Sequence, residues 1–289
     1  MERIFITGAS GQLGLALNRL MSGLKDYRIC RTDASSSPDG EVQALDITDE
    51  TAVQEAISGF DPDIIINCAA MTAVELCESE QDKAYRINAL GPKYLALAAE
   101  KCGAKLIHVS TDYVYDGRAD MPYIESDTTN PISVYGKTKL EGEKFVAEIS
   151  SKVFILRTAW VYGEGKNFVR TMLRLADAGN RIRVVADQYG TPTSALELAK
   201  VIMFLMETDS YGIYHATCEG STSWYEFAKK IFLLAGKPVE VDPIPSSEYK
   251  TMVQRPMYSV LENKELRERH GYYMKEWTKA LEEYMKDYR

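Results

Sequence analysis

The sequence predicts an α/β protein with a doubly wound parallel sheet, helices on both faces of that sheet, and a smaller C-terminal α/β domain. Through the first half of the 289 residues, short apolar runs alternate with segments of helical periodicity. The apolar runs are continuous in Ile, Val and Leu, which is typical of parallel strands buried on both faces. Strands of that kind, separated by helices, indicate a sheet built from βα units.

The elements of the first half follow from these patterns in chain order. The first strand runs into a glycine-rich turn, and the first helix begins directly after it. Apolar runs and helical patterns then continue to alternate as far as residue 178. The predicted strands are Arg3–Thr7, Tyr27–Arg31, Asp63–Asn67, Lys105–Ser110 and Val153–Arg157. The predicted helices are Gln12–Met21, Asp49–Ser58, Lys83–Lys101, Val134–Glu148 and Asn167–Ala178.

One long segment, Asp116–Pro131, interrupts this alternation. It is rich in proline and acidic residues, and it joins the strand that leads to Thr111 to the helix that carries Tyr135. Loops longer than about 12 residues inside a compact domain are often lids over active sites. We therefore expect this loop to cover a substrate pocket.

The C-terminal part has shorter and less regular elements. Ser223-x-x-Glu226 has the spacing of a capping box and predicts the start of a helix. A proline-rich stretch, Pro238–Pro245, follows, and the last predicted helix lies near Glu276–Tyr288.

These patterns predict two domains. Residues 1–165 form the dinucleotide-binding domain, and residues 166–289 form mainly the substrate domain. We expect the chain to return to the first domain around residues 188–207.

Composition narrows the class of partner. Lys and Arg total 34 against 42 for Asp and Glu, so the net charge is −8, and no overall basic field favours nucleic acid or an anionic membrane. We therefore expect a small-molecule partner. Five scattered cysteines and only three histidines predict a reducing, cytoplasmic location and no metal cluster. No apolar run approaches the ~20 residues of a membrane span.

Three glycines mark a candidate phosphate site. Gly8, Gly11 and Gly14 follow a strand and open a helix. In that context the backbone N–H groups of the helix N-terminus bind a pyrophosphate, as in Rossmann-type folds. The G-x-x-G-x-x-G spacing differs from the G-x-G-x-x-G fingerprint, so a glycine-rich turn without a ligand is the competing interpretation.

The end of the second strand bears on the choice of cofactor. Asp33 lies 19 residues after Gly14, where a carboxylate accepts hydrogen bonds from the adenosine ribose. Arg31, two residues earlier, is suited to a 2′-phosphate instead. We expect NADH as the cofactor, with NADPH left open.

A third pattern carries acid–base chemistry. Tyr135 and Lys139 are four residues apart near the start of a predicted helix, so their side chains share one face. An ammonium beside a phenol favours the phenolate and lowers the phenol pKa, which suits proton transfer. Thr111 follows a strand that ends at the carboxyl edge of the sheet, where it reaches a substrate oxygen or caps a local turn.

Together these motifs resemble those of the extended short-chain dehydrogenase/reductases. The ordered set is Gly8-x-x-Gly11-x-x-Gly14, Asn67-Cys-Ala-Ala70, Asn88, Ser110-Thr-Asp-Tyr-Val-Tyr115, Tyr135-Gly-Lys-Thr-Lys139 and Arg157-Thr-Ala-Trp-Val-Tyr-Gly163. Matches continue through Asn167-Phe168, Asp187 to Thr193 and Arg255-Pro256. Within the family the chain looks like the reductases of dTDP-linked keto sugars. Trp160 supports that branch, since epimerases and dehydratases more often carry Asn there.

The resemblance implies a role for each matching position. The catalytic residues are Thr111, Tyr135 and Lys139. The cofactor-binding residues are Gly8, Gly11, Gln12, Leu13, Gly14, Asp33, Asp46, Ile47, Ala69, Ala70, Met71, Thr72, Asn88, Tyr135 and Lys139. The substrate-binding residues are Thr111, Asp112, Tyr113, Trp160, Asn167 and Arg255. Packing is the competing interpretation for Trp160, a buried amide in a helix kink for Asn88, and a surface ion pair for Arg255.

The implied reaction is hydride transfer from NAD(P)H to the C4 keto group of a dTDP-linked 6-deoxy-4-keto sugar. Tyr135 would protonate the alkoxide, Thr111 would hydrogen-bond it, and Lys139 would lower the tyrosine pKa and hold the nicotinamide ribose. Met71, Glu75 and Tyr115 depart from the usual family residues, and the first two leave the substrate range open.

Two other functions stay open at this point. One is a nucleotide-sugar epimerase or dehydratase that recycles NAD, and the other is a regulatory subunit like that of methionine adenosyltransferase. The sequence likewise leaves open a homodimer and a need for Mg²⁺.

Overall fold

A computed structural model describes residues 1–179 and 181–287 of the protein. The strands, numbered in chain order, are β1 (Glu2–Thr7), β2 (Tyr27–Asp33), β3 (Gln43–Ala44), β4 (Ile64–Asn67), β5 (Lys105–Thr111), β6 (Val153–Thr158), β7 (Val161–Tyr162), β8 (Ile182–Val185), β9 (Tyr189–Gly190), β10 (Thr193–Ser194), β11 (Gly212–His215), β12 (Thr222–Ser223) and β13 (Val241–Ile244). The helices are α1 (Gln12–Met21), α2 (Glu50–Phe60), α3 (Val74–Ser79), α4 (Gln81–Tyr85), α5 (Gly91–Cys102), α6 (Val134–Ile149), α7 (Phe168–Asp177), α8 (Ala195–Met206), α9 (Trp224–Ala235), α10 (Lys264–His270) and α11 (Trp277–Asp287).

Seven parallel strands form the central sheet in the order β11-β6-β5-β4-β1-β2-β3. The strand order reverses between β1 and β4, and ligands of doubly wound sheets bind outside the carboxyl ends of the strands at such a point. The doubly wound parallel fold predicted from the sequence is therefore confirmed.

The middle strand shows why these apolar runs become buried strands. Ile64, Ile65 and Ile66 of β4 are all completely buried. Ile64 and Ile66 pack in the core cluster on the side of α1 and α8, whereas Ile65 packs in the cluster on the side of α2 and α5. Full burial of such a side chain contributes roughly 1.5–3 kcal/mol. A strand with two buried faces needs apolar residues at every position, which is the continuous run seen in the sequence.

After residue 165 the chain builds a second, smaller core and also returns to the sheet. Helices α7 and α9 pack over the parallel pair β8–β13, with α11 beside them. Helix α8 packs against α1, and β11 pairs with β6 at the sheet edge. The return thus extends to residues 212–215, beyond the 188–207 that the sequence predicts. The domain boundary near residue 165 remains a proposal.

Several predicted elements change in detail. The single helix predicted over Lys83–Lys101 is α4 and α5 joined by a π-helical turn at Arg86–Leu90. The proline-rich stretch contains β13, where Pro243 occupies a strand paired on one side only, a position that tolerates a missing N–H. The last helix is described as far as Asp287, so its predicted end at Tyr288 lies outside the described residues.

The loop Asp116–Pro131 is packed against the C-terminal part of the chain. The Tyr123 N–H donates to the Val260 carbonyl at 2.9 Å, and the buried Glu125 carboxylate accepts from the His215 N–H at 3.0 Å. The Tyr123 ring stacks on that of Tyr115, with centroids 4.2 Å apart. The segment is thus held against the C-terminal part of the chain, and its role as a lid stays a prediction.

Within residues 1–179 and 181–287, the helices are too short or too polar for any of them to cross a membrane.

Candidate active site

A cleft of about 430 Å³ opens at the carboxyl ends of the central strands. Its walls come from the turn before α1, the ends of β5 and β6, helix α6 and the start of α9. The lining residues predicted from the sequence are Gly8, Gly11, Gln12, Leu13, Gly14, Ala70, Thr72, Thr111, Asp112, Tyr113, Tyr135, Lys139, Trp160 and Arg255. Residues from distant parts of the chain therefore meet at the edge where this fold places its ligands.

The glycine turn shapes one end of the cleft. Gly8 has φ +67°, and a Cβ there would lie 2.6 Å from the Ala69 backbone nitrogen. A Cβ on Gly14 would lie 2.4 Å from the Gly8 carbonyl oxygen, whereas one on Gly11 would lie 3.3 Å from the same atom. None of the described side chains caps α1 at Gly11. The first N–H groups of the helix therefore have no side-chain cap, and their residues line the cleft, which suits a pyrophosphate.

Asp33 stands beside this turn at the end of β2. Its Oδ2 accepts from the Ser10 N–H at 2.9 Å, and its Oδ1 accepts from the Ala34 N–H at 2.7 Å. Arg31 is held by α1, because its Nε donates to Asn18 Oδ1 at 2.9 Å. The Asp33 carboxylate thus holds the glycine turn through Ser10. Asp33 and Arg31, the two candidate contacts of the adenosine ribose, both lie beside the turn and α1.

Asn88 is completely buried in the π-helical turn. Its Oδ1 accepts from the Met71 N–H at 2.8 Å, and its Nδ2 donates to the Met71 carbonyl at 3.1 Å and to Thr138 Oγ1 at 3.3 Å. A Cβ on Gly142 would meet the Asn88 carbonyl oxygen at 2.3 Å, so α6 packs directly on this turn. Asn88 therefore fixes α6, and with it Tyr135 and Lys139, relative to the segment around Met71.

Tyr135 lies in the first turn of α6, which Ser133 caps by accepting from the Gly136 N–H at 3.1 Å. A Cβ on Gly136 would lie 2.1 Å from the Tyr113 carbonyl oxygen, so only glycine permits this close approach. Burial raises the pKa of the Tyr135 phenol well above its ordinary value. The sequence predicted the opposite direction, because it considered the charge of Lys139 and not the loss of water around the phenol.

Lys139 is 2% exposed, and its Nζ donates to the Val109 carbonyl at 2.7 Å. Burial lowers the pKa of Lys139 to about 8, while the carboxylate of Glu143, one helical turn further on, opposes that shift. At neutral pH the ammonium is therefore still present, fixed between α6 and β5.

Thr111 and Asp112 form the next part of the wall. Thr111 Oγ1 accepts from the Tyr113 N–H at 3.2 Å and donates to Asp112 Oδ1 at 3.0 Å. The turn-capping role considered for Thr111 is thus present, and the residue lines the cleft as well. Asp112 Oδ2 is buried without a hydrogen-bond partner in the described part of the chain, and burial raises the pKa of this carboxyl to about 6.

We expect Asp112→Asn to stabilise the protein at neutral pH. A folded-state pKa of about 6 against an ordinary 3.8 means that the stabilising contribution of Asp112 is present below pH 3.8 and lost as the pH rises through about 6. The uncharged amide escapes that loss, which amounts to at most about 3 kcal/mol. Thermal unfolding at pH 4, 5, 6 and 7 checks this, with exposed Asp120→Asn as control. An equal melting temperature at pH 7 would contradict it.

Trp160, Tyr113 and Arg255 also line the cleft. Arg255 donates to Tyr113 Oη at 3.4 Å and pairs with Glu75 at 3.3 Å, so both interpretations of this arginine have support. Its Nε is buried and has no hydrogen-bond partner in the described ranges. The Nε–H of the guanidinium is thus left for a ligand.

The structure does not bring every predicted residue to the cleft. Asn167 caps α7 by accepting from the Arg170 N–H at 3.0 Å, and its Nδ2 donates to the Gly163 carbonyl at 2.7 Å. Ile47 packs in the core against Gly91. The predicted residues outside the lining are Asp33, Asp46, Ile47, Ala69, Met71, Asn88 and Asn167.

Sequence reasoning missed part of the lining. Thr158 Oγ1 is buried there without a described partner, and Trp224 also lines the cleft. The capping-box spacing at Ser223 located the start of α9 correctly, and Ser223 does accept from the Glu226 N–H. That signal fixes a helix start, but it does not reveal that the first helical residue faces a distant strand end.

The residues present fit a dinucleotide. The uncapped start of α1 suits the pyrophosphate. Three buried side-chain oxygens of the cleft lining have no hydrogen-bond partner in the described part of the chain: Gln12 Oε1, Thr158 Oγ1 and Asp112 Oδ2. A nicotinamide-dependent enzyme of the extended short-chain dehydrogenase/reductase class has this sheet, glycine turn and Tyr-Lys pair. In residues 1–179 and 181–287, no group of three or more His, Cys, Asp or Glu side chains is placed to hold a metal ion. A need for Mg²⁺ in the reaction stays an open prediction.

Comparison with known proteins narrows the class. Residues 1–289 match the family described as the RmlD substrate binding domain, and the chain belongs to that family. It is 42% identical to a dTDP-4-dehydrorhamnose reductase of Aggregatibacter actinomycetemcomitans, over 97% of each chain. The structure of a dTDP-4-dehydrorhamnose reductase from Clostridium acetobutylicum is similar, with TM-score 0.94, 46% identity and 99% of each chain covered. That of the Bacillus anthracis enzyme in complex with NADP gives TM-score 0.94 and 42% identity, with 99% of each chain covered.

Proposed function

We propose that the protein reduces the C4 keto group of dTDP-4-dehydrorhamnose, a dTDP-linked 6-deoxy-4-keto hexose, to give dTDP-L-rhamnose. The observation that carries the proposal is the convergence of Thr111, Tyr135 and Lys139 on the cleft that the start of α1 also lines. The full-length similarity to reductases of this substrate supports it.

A bound nicotinamide cofactor supplies the hydride. Tyr135 donates its proton to the alkoxide oxygen that forms at C4; its raised pKa keeps the phenol protonated beforehand, as a general acid requires. Thr111 Oγ1 lies on the same wall and hydrogen-bonds that oxygen. The Lys139 ammonium stabilises the phenolate left on Tyr135, and its fixed hydrogen bond to Val109 keeps the charge in place.

The other end of the cleft binds the nucleotide sugar. Asp112 and Trp160 face the deoxysugar, and Arg255 contacts the diphosphate through guanidinium donors beyond the Glu75 pair. In a chain of net charge −8, such a local cation is what attracts an anionic substrate.

One assay tests this function against its alternatives. Incubation with NADH or NADPH and dTDP-4-dehydrorhamnose should consume one nicotinamide per sugar reduced. An epimerase or dehydratase that recycles its cofactor consumes none, and neither does a regulatory subunit. Turnover of the sugar without loss of reduced cofactor would overturn the proposal.

We further propose that Asp33 favours NADH, because its carboxylate repels a 2′-phosphate. Asp33→Ala should raise Kd for NADH, both through the lost ribose contact and through the lost brace on Ser10, and should favour NADPH relative to NADH. Fluorescence titration with both cofactors measures this, with exposed Asp39→Ala as control. If the wild type already binds NADPH much more tightly, Arg31 decides the preference and the proposal is wrong.

The division into residues 1–165 and 166–289, a cytoplasmic location and a homodimer remain predictions that accompany this function.

A further inference from the structure

Two tryptophans from different parts of the chain are stacked on each other in the wall of the cleft. The rings of Trp160, which follows β6, and Trp224, the first residue of α9, lie parallel within 9°, with centroids 3.4 Å apart. Both indoles are half-buried, and both line the cleft. The family resemblance gives a role to Trp160 but none to Trp224.

The backbone of Trp160 is held in an unfavourable conformation. Its φ of +47° lies in the left-handed region, which large side chains rarely adopt without other constraints. One such constraint is the hydrogen bond from the Thr193 N–H to the Trp160 carbonyl, at 3.2 Å. The Trp224 ring is a second constraint, because it packs flat on the indole itself.

Gly190 is a further residue that packs against the Trp160 indole. A Cβ at position 190 would lie 2.5 Å from Trp160 Cε2, so any larger residue would push the ring. Gly190 is in β9 and Trp224 begins α9, so both neighbours of the indole belong to the C-terminal part of the chain.

Trp224 is itself anchored in the C-terminal core. Its ring contacts that of Phe168 in α7, with centroids 4.6 Å apart, and Phe168 stacks on Phe227 at 5.4 Å. Phe227 is completely buried. An aromatic row therefore runs from the C-terminal core to the cleft and ends on Trp160.

We propose that Trp224 is a positioning residue that sets sugar affinity by holding the Trp160 indole in its place against the cleft. The inference rests on the proposed function, since it takes the sugar nucleotide as the ligand of this wall. It predicts that Trp224 and Gly190 act through the same ring, from two different neighbours.

Steady-state kinetics test the role in binding. Trp224→Leu should raise KM for dTDP-4-dehydrorhamnose about 3- to 10-fold, the range that one lost aromatic contact predicts, with kcat changed less than 2-fold. Trp224→Phe keeps a flat ring and should recover most of the affinity. Gly190→Ala should raise KM in the same direction, and Kd for NADH or NADPH should be unchanged in all three variants.

Circular dichroism tests the geometry independently of turnover. Closely stacked indoles couple electronically, so the wild type should show an exciton couplet that both Trp224→Phe and Trp160→Phe remove. Trp277→Phe, which changes the third tryptophan, should retain the couplet. Thermal unfolding of each variant identifies any that fails to fold, and Gly190→Ala then carries the kinetic test.

The outcomes separate this inference from the proposed function. A couplet lost in the Trp224 variants together with a selective rise in KM supports the positioning role. An unchanged KM in folded Trp224→Leu, or a couplet that survives in Trp224→Phe, overturns it. If the wild type reduces no keto sugar, the proposed function fails, and isothermal titration of dTDP-rhamnose against the same variants still decides whether Trp224 sets affinity.

Discussion

Replacing Tyr135 with phenylalanine should lower kcat by about 10²- to 10⁴-fold, the range that general acid–base catalysis contributes. In the proposed mechanism the Tyr135 phenol, which lines the cleft together with Thr111, donates the proton, and phenylalanine keeps the ring while it removes that proton. The ring also packs edge-on against Tyr113, with centroids 5.5 Å apart, and this contact survives the change. Cofactor affinity and the melting temperature should therefore stay near their wild-type values.

The measurement is initial-rate kinetics at saturating cofactor and sugar, with the Kd of NAD(P)H measured in parallel. Tyr85→Phe is the matched control, since Tyr85 lies at the end of α4, is 39% exposed and does not line the cleft. A folded Tyr135→Phe variant with kcat within a few-fold of the wild type would assign the proton donor to another group.

The sequence predicts the fold well because its signals are local. Continuous apolar runs such as Ile64–Ile66 specify strands buried on both faces. Gly8 and Gly14 must be glycine because a Cβ there would collide with backbone close by, in the same turn or at the end of the neighbouring strand. Short strands such as β9 and β12 carry no comparable pattern. Their two residues each become strands only because distant segments pair with them.

The site is only partly predictable for the same reason. Tyr135, Lys139 and Thr111 lie in motifs that identify them, but the pKa values of Tyr135 and Lys139 depend on burial that the motif does not specify. The phenol pKa of Tyr135 rises because the surrounding protein removes water, and Trp224 reaches the cleft through packing of the C-terminal core. Asn167, assigned to substrate by its motif, has its amide engaged by the start of α7 and the loop before it.

Replacing Lys139 with methionine should lower kcat/KM by about 10²-fold or more at pH 7, since the phenolate that forms on Tyr135 then lacks a neighbouring cation. The wild-type pH profile gives a second readout. With a Lys139 pKa of about 8 in the free protein, kcat/KM should fall as the pH rises through about 8, and the variant should lose this dependence. Lys144→Met, on the exposed side of α6, is the control.

Lys139→Met should lower activity but raise the stability of the protein at neutral pH. The pKa of Lys139 falls from an ordinary 10.5 to about 8 on folding, so between these values the unfolded chain binds more protons than the folded one. Wild-type stability should therefore rise with pH across that window, while Lys139→Met should be more stable than the wild type at pH 7 and show no such rise. Urea unfolding at pH 7, 8, 9 and 10 measures both curves. If the variant is less stable than the wild type at pH 7 and its stability still rises with pH, then burial of the Lys139 ammonium does not destabilise the protein. The catalytic role of Lys139 would then rest on the kinetics alone.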